Sequence, residues 1–280
     1  MTAMGDGRAD LPGDGVVVGV DIGSTWTKTV LIRNGHVQKG DLLRTGGVPE
    51  ESAEAAVRQL LAKTETAPGE VASMVATGYG RINLATARKS LPEIMCIARG
   101  AHALDPSLRF VIDIGGLDCK VVGMDASGRV LKFKRNDKCA AGTGRFIEKI
   151  ARILQLSLDQ VGEMSMGAGN PCSISSTCVV FAESEVVSAL AKGVRFEDVL
   201  AGVSAAAAER IAQLVERIGG DGDVAIVGGM AKNRGFVAAL EARLGLRFVP
   251  IAEDPQYVEA LGAALFAQEL PATAEATAGR

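Results

Sequence analysis

Two of the chain's five cysteines stand in segments suited to chemistry. Cys139 lies in Asn136-Asp137-Lys138-Cys139-Ala140-Ala141-Gly142-Thr143-Gly144-Arg145-Phe146, and Cys178 in Ser175-Ser176-Thr177-Cys178-Val179-Val180-Phe181-Ala182-Glu183-Ser184-Glu185. Both segments are elbows rich in glycine or hydroxyl residues. A thiolate is a soft ligand that suits an iron–sulfur cluster or zinc. Two thiolates are too few for a four-cysteine site, so a second subunit has to supply the rest. A one-chain zinc site from positions 119, 139, 172 and 178 is open as an alternative, although its spacings are unlike those of zinc motifs. Cys96, Cys119 and Cys172 lack such surroundings and are expected to be structural.

A second constellation recurs. Asp21-Ile22-Gly23-Ser24-Thr25 ends the β-branched run Val16-Val17-Val18-Gly19-Val20, and Lys28 follows. Asp113-Ile114-Gly115-Gly116 ends Phe110-Val111-Ile112, and Lys120 follows. The lysine comes seven residues after the aspartate in both copies, and the copies are offset by 92 residues (21 to 113). An Asp at a strand end beside Gly and hydroxyl residues presents a carboxylate and close-packed N–H groups. A triphosphate with Mg²⁺ needs those groups, and glycine lets the backbone approach phosphate without a Cβ clash. Asp21 and Asp113 are the candidate Mg²⁺ or water organisers. Gly23, Ser24, Thr25, Lys28, Gly115 and Gly116 are candidates for phosphate. Gly142 and Thr143, just before a predicted helix, are further candidates, and so is Glu183. Val227-Gly228-Gly229-Met230-Ala231-Lys232-Asn233 offers a third glycine turn after a strand, and Gly228, Gly229, Lys232, Asn233 and Gln256 are further candidates for a nucleotide. No Gly-x4-Gly-Lys-Ser/Thr is present, and no Gly-x-Gly-x2-Gly follows a strand.

These residues need strands and turns to hold them. Each copy reads strand, glycine turn, strand, turn, strand. Asn34-Gly35 predicts a type I′ hairpin with a third strand from His36. Helices are predicted over 51–63, from 82 to 90, 144–153, 184–191, 201–218 and 257–270, with a strand over 224–227. Strands followed by helices predict an α/β protein, and the duplication predicts two similar lobes facing one cleft. The tails 1–14 and 271–280 are expected to be flexible.

Composition excludes several classes. At 280 residues and 48% hydrophobic content the chain supports a large core. A net charge of −3 argues against nucleic-acid binding. No apolar stretch reaches the ~18 residues of a membrane span, and the first 14 residues have no apolar core of a signal peptide. A cytoplasmic protein without a membrane partner is expected. The odd cysteine count is unlike a secreted disulfide framework. A Ser-His-Asp triad or a multi-histidine metal site would have to use His36 or His102 or both, the chain's two histidines, and neither stands near a Gly-rich elbow.

With these segments together, the chain resembles the acetate kinase/sugar kinase/Hsp70/actin superfamily through its two Asp-Ile-Gly motifs and Val227–Asn233. Within it, the two cysteine segments resemble the ATP-dependent activators of 2-hydroxyacyl-CoA dehydratases and their relatives, the benzoyl-CoA reductase ATPase subunits. The resemblance runs from about Val16 to Ala267. It implies two actin-like (ribonuclease H-like) lobes around a nucleotide cleft, lobe I at 1–107 with 252–280 and lobe II at 108–251. It also implies a homodimer sharing one [4Fe-4S] cluster, with Cys139 and Cys178 as each chain's ligands. ATP hydrolysis with Mg²⁺ would let that cluster pass a low-potential electron, taken from ferredoxin or flavodoxin, to a dehydratase or acyl-CoA reductase. The chain departs from relatives at Leu117-Asp118-Cys119-Lys120, where a polar residue usually precedes the aspartate. It departs again at Cys96-Ile97-Ala98-Arg99-Gly100, where a histidine is usual at the second position. The rival reading is an amino-sugar-like kinase of the same superfamily; a third is a non-catalytic actin-like assembly protein.

Overall fold

A computed structural model of the chain describes residues 15–136, 143–175 and 178–270. Both tails, Cys139 and Gly142 lie outside the described residues. The chain divides into two compact units. Unit 1 comprises Met1–Pro106, Ala126–Arg129 and Ile251–Arg280; unit 2 comprises Ser107–Asp125 and Val130–Pro250.

In unit 1, β1 (Val16–Ile22), β2 (Trp26–Arg33) and β3 (His36–Arg44) form an antiparallel meander. Asn34 and Gly35 turn the second corner with φ of 50° and 77°, as a type I′ turn requires. β4 (Val71–Thr77) pairs parallel to β1, and the short β5 (Lys89–Ser90) parallel to β4, giving the order β3-β2-β1-β4-β5. Every residue of β1 is buried, because both of its faces are covered. Val16, Val18, Val20 and Ile22 pack with Ala53, Val57 and Leu60 of α1 (Pro49–Lys63). Val17 on the opposite face packs in the cluster of Ala260, Ala263 and Ala264 from α8 (Val258–Gln268). The alanine- and glycine-rich composition of α8 is explained by proximity. A Cβ on Gly19 of β1 would strike Ala260 and Ala264, and one on Gly262 would strike the Cys96 backbone of α2 (Glu93–Leu104).

The predicted helix up to Ser90 is absent. A 3₁₀ turn at Arg81–Asn83 and β5 stand there instead. Pro92 disfavours helix at the residue before it, and the sheet edge offers partners: Arg88 N donates to Met74 O (2.8 Å) and Leu91 N to Ala76 O (2.9 Å). The helix begins only after that proline, as α2, an element the sequence reading lacks.

Unit 2 repeats the plan. β6 (Leu108–Ile114), β7 (Cys119–Met124) and β8 (Val130–Arg135) form a meander, β9 (Asp223–Val227) runs parallel to β6, and the order is β8-β7-β6-β9. Ile112, Ile114, Val121 and Ile226 pack with α3 (Gly144–Ile153) and the long α6 (Phe196–Ile218). Phe146, Ile147, Ile150 and Ala151 form the buried stripe of α3. Two helices were not foreseen, α4 (Leu158–Ser165) and α7 (Arg234–Leu244). Ser157 and Gln160 form a capping box at the start of α4, with Gln160 N donating to Ser157 Oγ (3.1 Å) and Ser157 N to Gln160 Oε1 (2.8 Å). That Ser-x-x-Gln spacing is a readable start signal. α5 (Val179–Ala191) begins five residues earlier than predicted.

Candidate functional site

The two Asp-Ile-Gly copies adopt one geometry. Asp21 pairs across the hairpin with Lys28, and Asp113 with Lys120, each one step before the last ladder pair, beyond which four loop residues turn the chain. Lys28 Nζ donates to Asp21 Oδ2 (2.5 Å), and Lys120 Nζ to Asp113 Oδ2 (3.2 Å). Lys28 therefore faces its own unit's carboxylate, in addition to whatever it offers a phosphate. Both aspartates are nearly inaccessible, at 2% and 6% exposure, at the ends of central strands. The copies differ in the lysine's partners. Lys120 also donates to Asp118 Oδ1 (2.9 Å), whereas the position corresponding to Asp118 in the first copy is Trp26.

The first loop is braced from β3's end. Thr45 N donates to Thr25 O and Thr45 Oγ1 to Gly23 O, both at 2.9 Å. The N–H groups of Gly23, Ser24 and Thr25 have no acceptor among the described residues, and the buried Thr25 Oγ1 has no partner there. A Cβ on Gly23 would sit 2.7 Å from Trp26 O. Unpaired donors on a loop that has no room for a side chain form a cradle that fits phosphate oxygens. In the second loop Gly115 N donates to Asp118 O (3.0 Å), and Leu117 is 39% exposed. The start of α3 closes on that loop: Gly144 N donates to Gly115 O (2.9 Å) and Arg145 N to Gly116 O (3.2 Å). Those two helix donors are thereby spent within the protein, and Thr143 beside them is buried.

Sequence reasoning missed one equivalence. β4 and β9 are the parallel neighbours of β1 and β6, with Thr77 opposite Asp21 and Val227 opposite Asp113. The residue after each is a glycine at positive φ, Gly78 at 90° and Gly228 at 84°. A Cβ on Gly228 would lie 2.8 Å from Asp113 Oδ1; one on Gly78 would strike Asp21 Oδ1 and lie 2.6 Å from Ile22 N. Each carboxylate thus rests against a glycine one strand away. The available signal was a glycine just after a buried parallel strand in both halves. Gly78→Ala is expected to lower stability by about 2 kcal/mol or more, from backbone strain plus overlap, and to cut ATP turnover by displacing Asp21. Gly47→Ala, with nothing within 4 Å of its Cβ, is expected to change neither. Urea unfolding midpoints and phosphate release measure both.

Among the nucleoside candidates, Gly229 and Lys232 are exposed in a 3₁₀ turn, Gly229–Lys232, after β9. Asn233 is buried and holds structure: its Oδ1 caps α7 by accepting from Phe236 N (2.9 Å), and its Nδ2 donates to Leu158 O (3.0 Å). Gln256 precedes α8 in unit 1, its N–H donating to Asp254 Oδ1 (3.0 Å). Glu183, on α5, is paired with Lys149 Nζ of α3 (2.8 Å).

Cys178 occupies the N-cap of α5, half-exposed, and makes no capping hydrogen bond. The loop before it is tied to its neighbours. Asp198 Oδ1 of α6 accepts from Gly169 N (2.9 Å) and Asn170 N (2.8 Å), Asp198 O accepts from Cys172 N (3.0 Å), and Ser175 N donates to Glu185 Oε2. α5 buries only Ala182 and Val186 fully, while Val180, Phe181 and Val187 are 59%, 63% and 51% exposed. A half-exposed thiol at a positive helix end, beside an open apolar face, fits a ligand shared with a second subunit. Cys96 and Cys119 do not fit, since both are fully buried and burial raises their thiol pKa values. Burial and then Asp198 also push the Cys172 thiol upward. No group of three or more metal-ligating side chains occurs among the described residues, which exclude Cys139. Among them, too, no helix is long and apolar enough to cross a membrane.

The 2-hydroxyisocaproyl-CoA dehydratase activator of Clostridioides difficile is 42% identical over 250 residues, covering 89% of this chain and 94% of that protein. The activator of lactoyl-CoA dehydratase from Anaerotignum propionicum is 41% identical over 256 residues, covering 90% and 97%. The solved activator of the 2-hydroxyisocaproyl-CoA dehydratase from Clostridium difficile with bound ADPNP superposes with a TM-score of 0.86 at 42% identity, covering 91% of this chain and 94% of that one. The α/β class read from strands followed by helices, and the actin-like fold implied by the resemblance, are borne out. The model of the BadF/BadG/BcrA/BcrD ATPase family matches residues 18–267. With its repeated aspartate hairpins spanning that match, the chain belongs to the BadF/BadG/BcrA/BcrD ATPase family.

Proposed function

We propose that this chain is an ATP-hydrolysing activator that works as a homodimer around one shared [4Fe-4S] cluster and delivers a low-potential electron to a 2-hydroxyacyl-CoA dehydratase or a related acyl-CoA reductase. The observation that carries the reading is Cys178, a half-exposed thiol at the start of a helix whose outer face is apolar. It pairs in the proposal with Cys139, so a two-fold axis brings four thiolates together. The open face of α5 supports burial against a second copy.

Asp21 and Asp113 organise Mg²⁺ and its waters in this reading. Gly23, Ser24, Thr25, Lys28, Gly115 and Gly116, with Gly142, Thr143 and Glu183, face the phosphates. The unpaired N–H groups at 23–25 and the orphaned Thr25 hydroxyl support that assignment. Gly228, Gly229, Lys232, Asn233 and Gln256 lie toward the nucleoside, Asn233 through its backbone, since its amide is engaged elsewhere. Lobe I is 1–107 with 252–280, and lobe II is 108–251. When bound, the cluster supplies a one-electron couple that ferredoxin or flavodoxin reduces. A change of about 1.4 kcal/mol in conformational energy shifts a one-electron couple by about 59 mV, so a few kcal/mol coupled from ATP alters reducing power usefully.

Anaerobic purification with iron and sulfide analysis tests the reading. Brown protein with about four irons per dimer is expected. Colourless protein that stays iron-free after reconstitution would overturn it and promote the small-molecule kinase.

A further inference from the structure

β8 pairs with β7 on one side, and the order β8-β7-β6-β9 leaves its other edge without a strand among the described residues. Its sequence, Val130-Leu131-Lys132-Phe133-Lys134-Arg135, holds three cations and no carboxylate, in a chain of net charge −3. Strand alternation puts Phe133 and Arg135 on one face and Lys132 and Lys134 on the other, and Leu131, which no β7 residue opposes, is a bulge beside them. Lys132 folds back onto its own unit. Its Nζ donates to the carbonyls of Ile218 (3.1 Å) and Gly219 (2.6 Å) and lies 5.3 Å from the centre of the Phe110 ring. Leu131 and Phe133 are 68% and 50% exposed.

Lysines on an edge strand guard against unwanted strand addition. A guard of that kind has no use for an exposed leucine and phenylalanine beside it. Apolar side chains rimmed by cations are instead the chemistry that receives an acidic protein surface. In sequence, the strand is followed closely by one proposed ligand. Asn136, the next residue, is clamped to β7's first residue, with Asn136 N donating to Cys119 O (3.0 Å) and Cys119 N to Asn136 Oδ1 (2.8 Å). Cys139 follows three residues later in sequence.

We propose that β8 is the docking strand for a small acidic one-electron carrier protein; this rests on the cluster reading above. One electron leaves the reduced carrier and enters the oxidised cluster, and no bond or proton moves. The occupant follows from size and charge. A six-residue edge strand offers the small area of a transient electron-transfer encounter, and its cations steer an acidic partner and raise the association rate. A lasting complex with a large enzyme needs more surface than this.

The test uses the anaerobically purified holoprotein and a Lys134→Glu/Arg135→Glu variant, mixed with reduced flavodoxin in a stopped-flow instrument at low and high ionic strength. The variant's bimolecular reduction rate is expected to fall about tenfold or more at low salt, with its salt dependence flattened. Reduction by dithionite and ATP turnover are expected to stay unchanged. Calorimetric titration with oxidised flavodoxin is expected to show binding by the wild type and not by the variant, and weakened binding by Phe133→Ala. A variant reduced by flavodoxin as fast as wild type overturns the proposal. A defect confined to electron delivery to the dehydratase also overturns it, assigning the strand to that enzyme. If the protein holds no iron, the cluster reading fails, and the oxidised flavodoxin titration still decides docking.

Discussion

Cys178→Ser is expected to remove the cluster entirely rather than by half. In a two-fold dimer one substitution deletes two of the four thiolates at once. Serine offers a hard hydroxyl that keeps its proton at neutral pH and does not replace a soft thiolate. Iron should fall from about four per dimer to background, activation of the partner enzyme should vanish, and gel filtration should show weaker dimerisation. Cys139→Ser should behave alike. The control is Cys172→Ser. That thiol lies six residues from Cys178 and is the nearest false candidate, but burial and the Asp198 carboxylate push its pKa above the ordinary value of 9.0 and disfavour the thiolate. It should keep its iron. Full iron in Cys178→Ser, or its loss in Cys172→Ser alone, would move the ligand assignment.

Asp21→Asn and Asp113→Asn are each expected to lower ATP turnover by about 10²–10³-fold, the scale of losing one preorganised electrostatic group. The amide preserves size and removes the charge that Mg²⁺ and its waters require. Their stability effects should differ. Asp21 binds Lys28 at 2.5 Å, and removing one partner of a largely buried pair is costly, about 3–5 kcal/mol where burial is complete. Lys28 is 17% exposed, so the lower end is expected. Lys120 is 3% exposed but keeps the Asp118 carboxylate at 2.9 Å, so Asp113→Asn should unfold at a urea midpoint closer to wild type. Asp118→Asn then completes a double-mutant cycle whose coupling energy reports how far Asp118 shares the load. Wild-type turnover in both single variants would remove these aspartates from the catalytic role.

Much of the fold was legible because strand grammar is local. The β-branched runs, the Asn34-Gly35 turn and the seven-residue Asp-to-Lys spacing each act within one hairpin, and the two hairpins formed in matching registers. The stretch 82–90 was misread because its composition suits a helix, while Pro92 and the open edge of β4 favour extended backbone. The structural role of Asn233 was not legible: its side chain caps α7, and a cap needs the helix beyond it to be recognised first.

By itself the sequence determined the duplication, the α/β class, the loops with carboxylates and glycines, and which two cysteines stand in special segments. Tertiary structure alone decided which distant pieces complete those loops. Gly78 and Gly228 reach the aspartates because β4 and β9 lie beside β1 and β6, strands more than 50 residues away in the first case and more than 100 in the second. It also decided that the Cys172 backbone is held by Asp198 while Cys178 stands at the start of a helix with an open apolar face. The physical reason is that hydrogen-bond registers and turns are set by neighbours in the chain, whereas parallel pairing and exposure are set by burying apolar surface across the whole unit, which no local periodicity records.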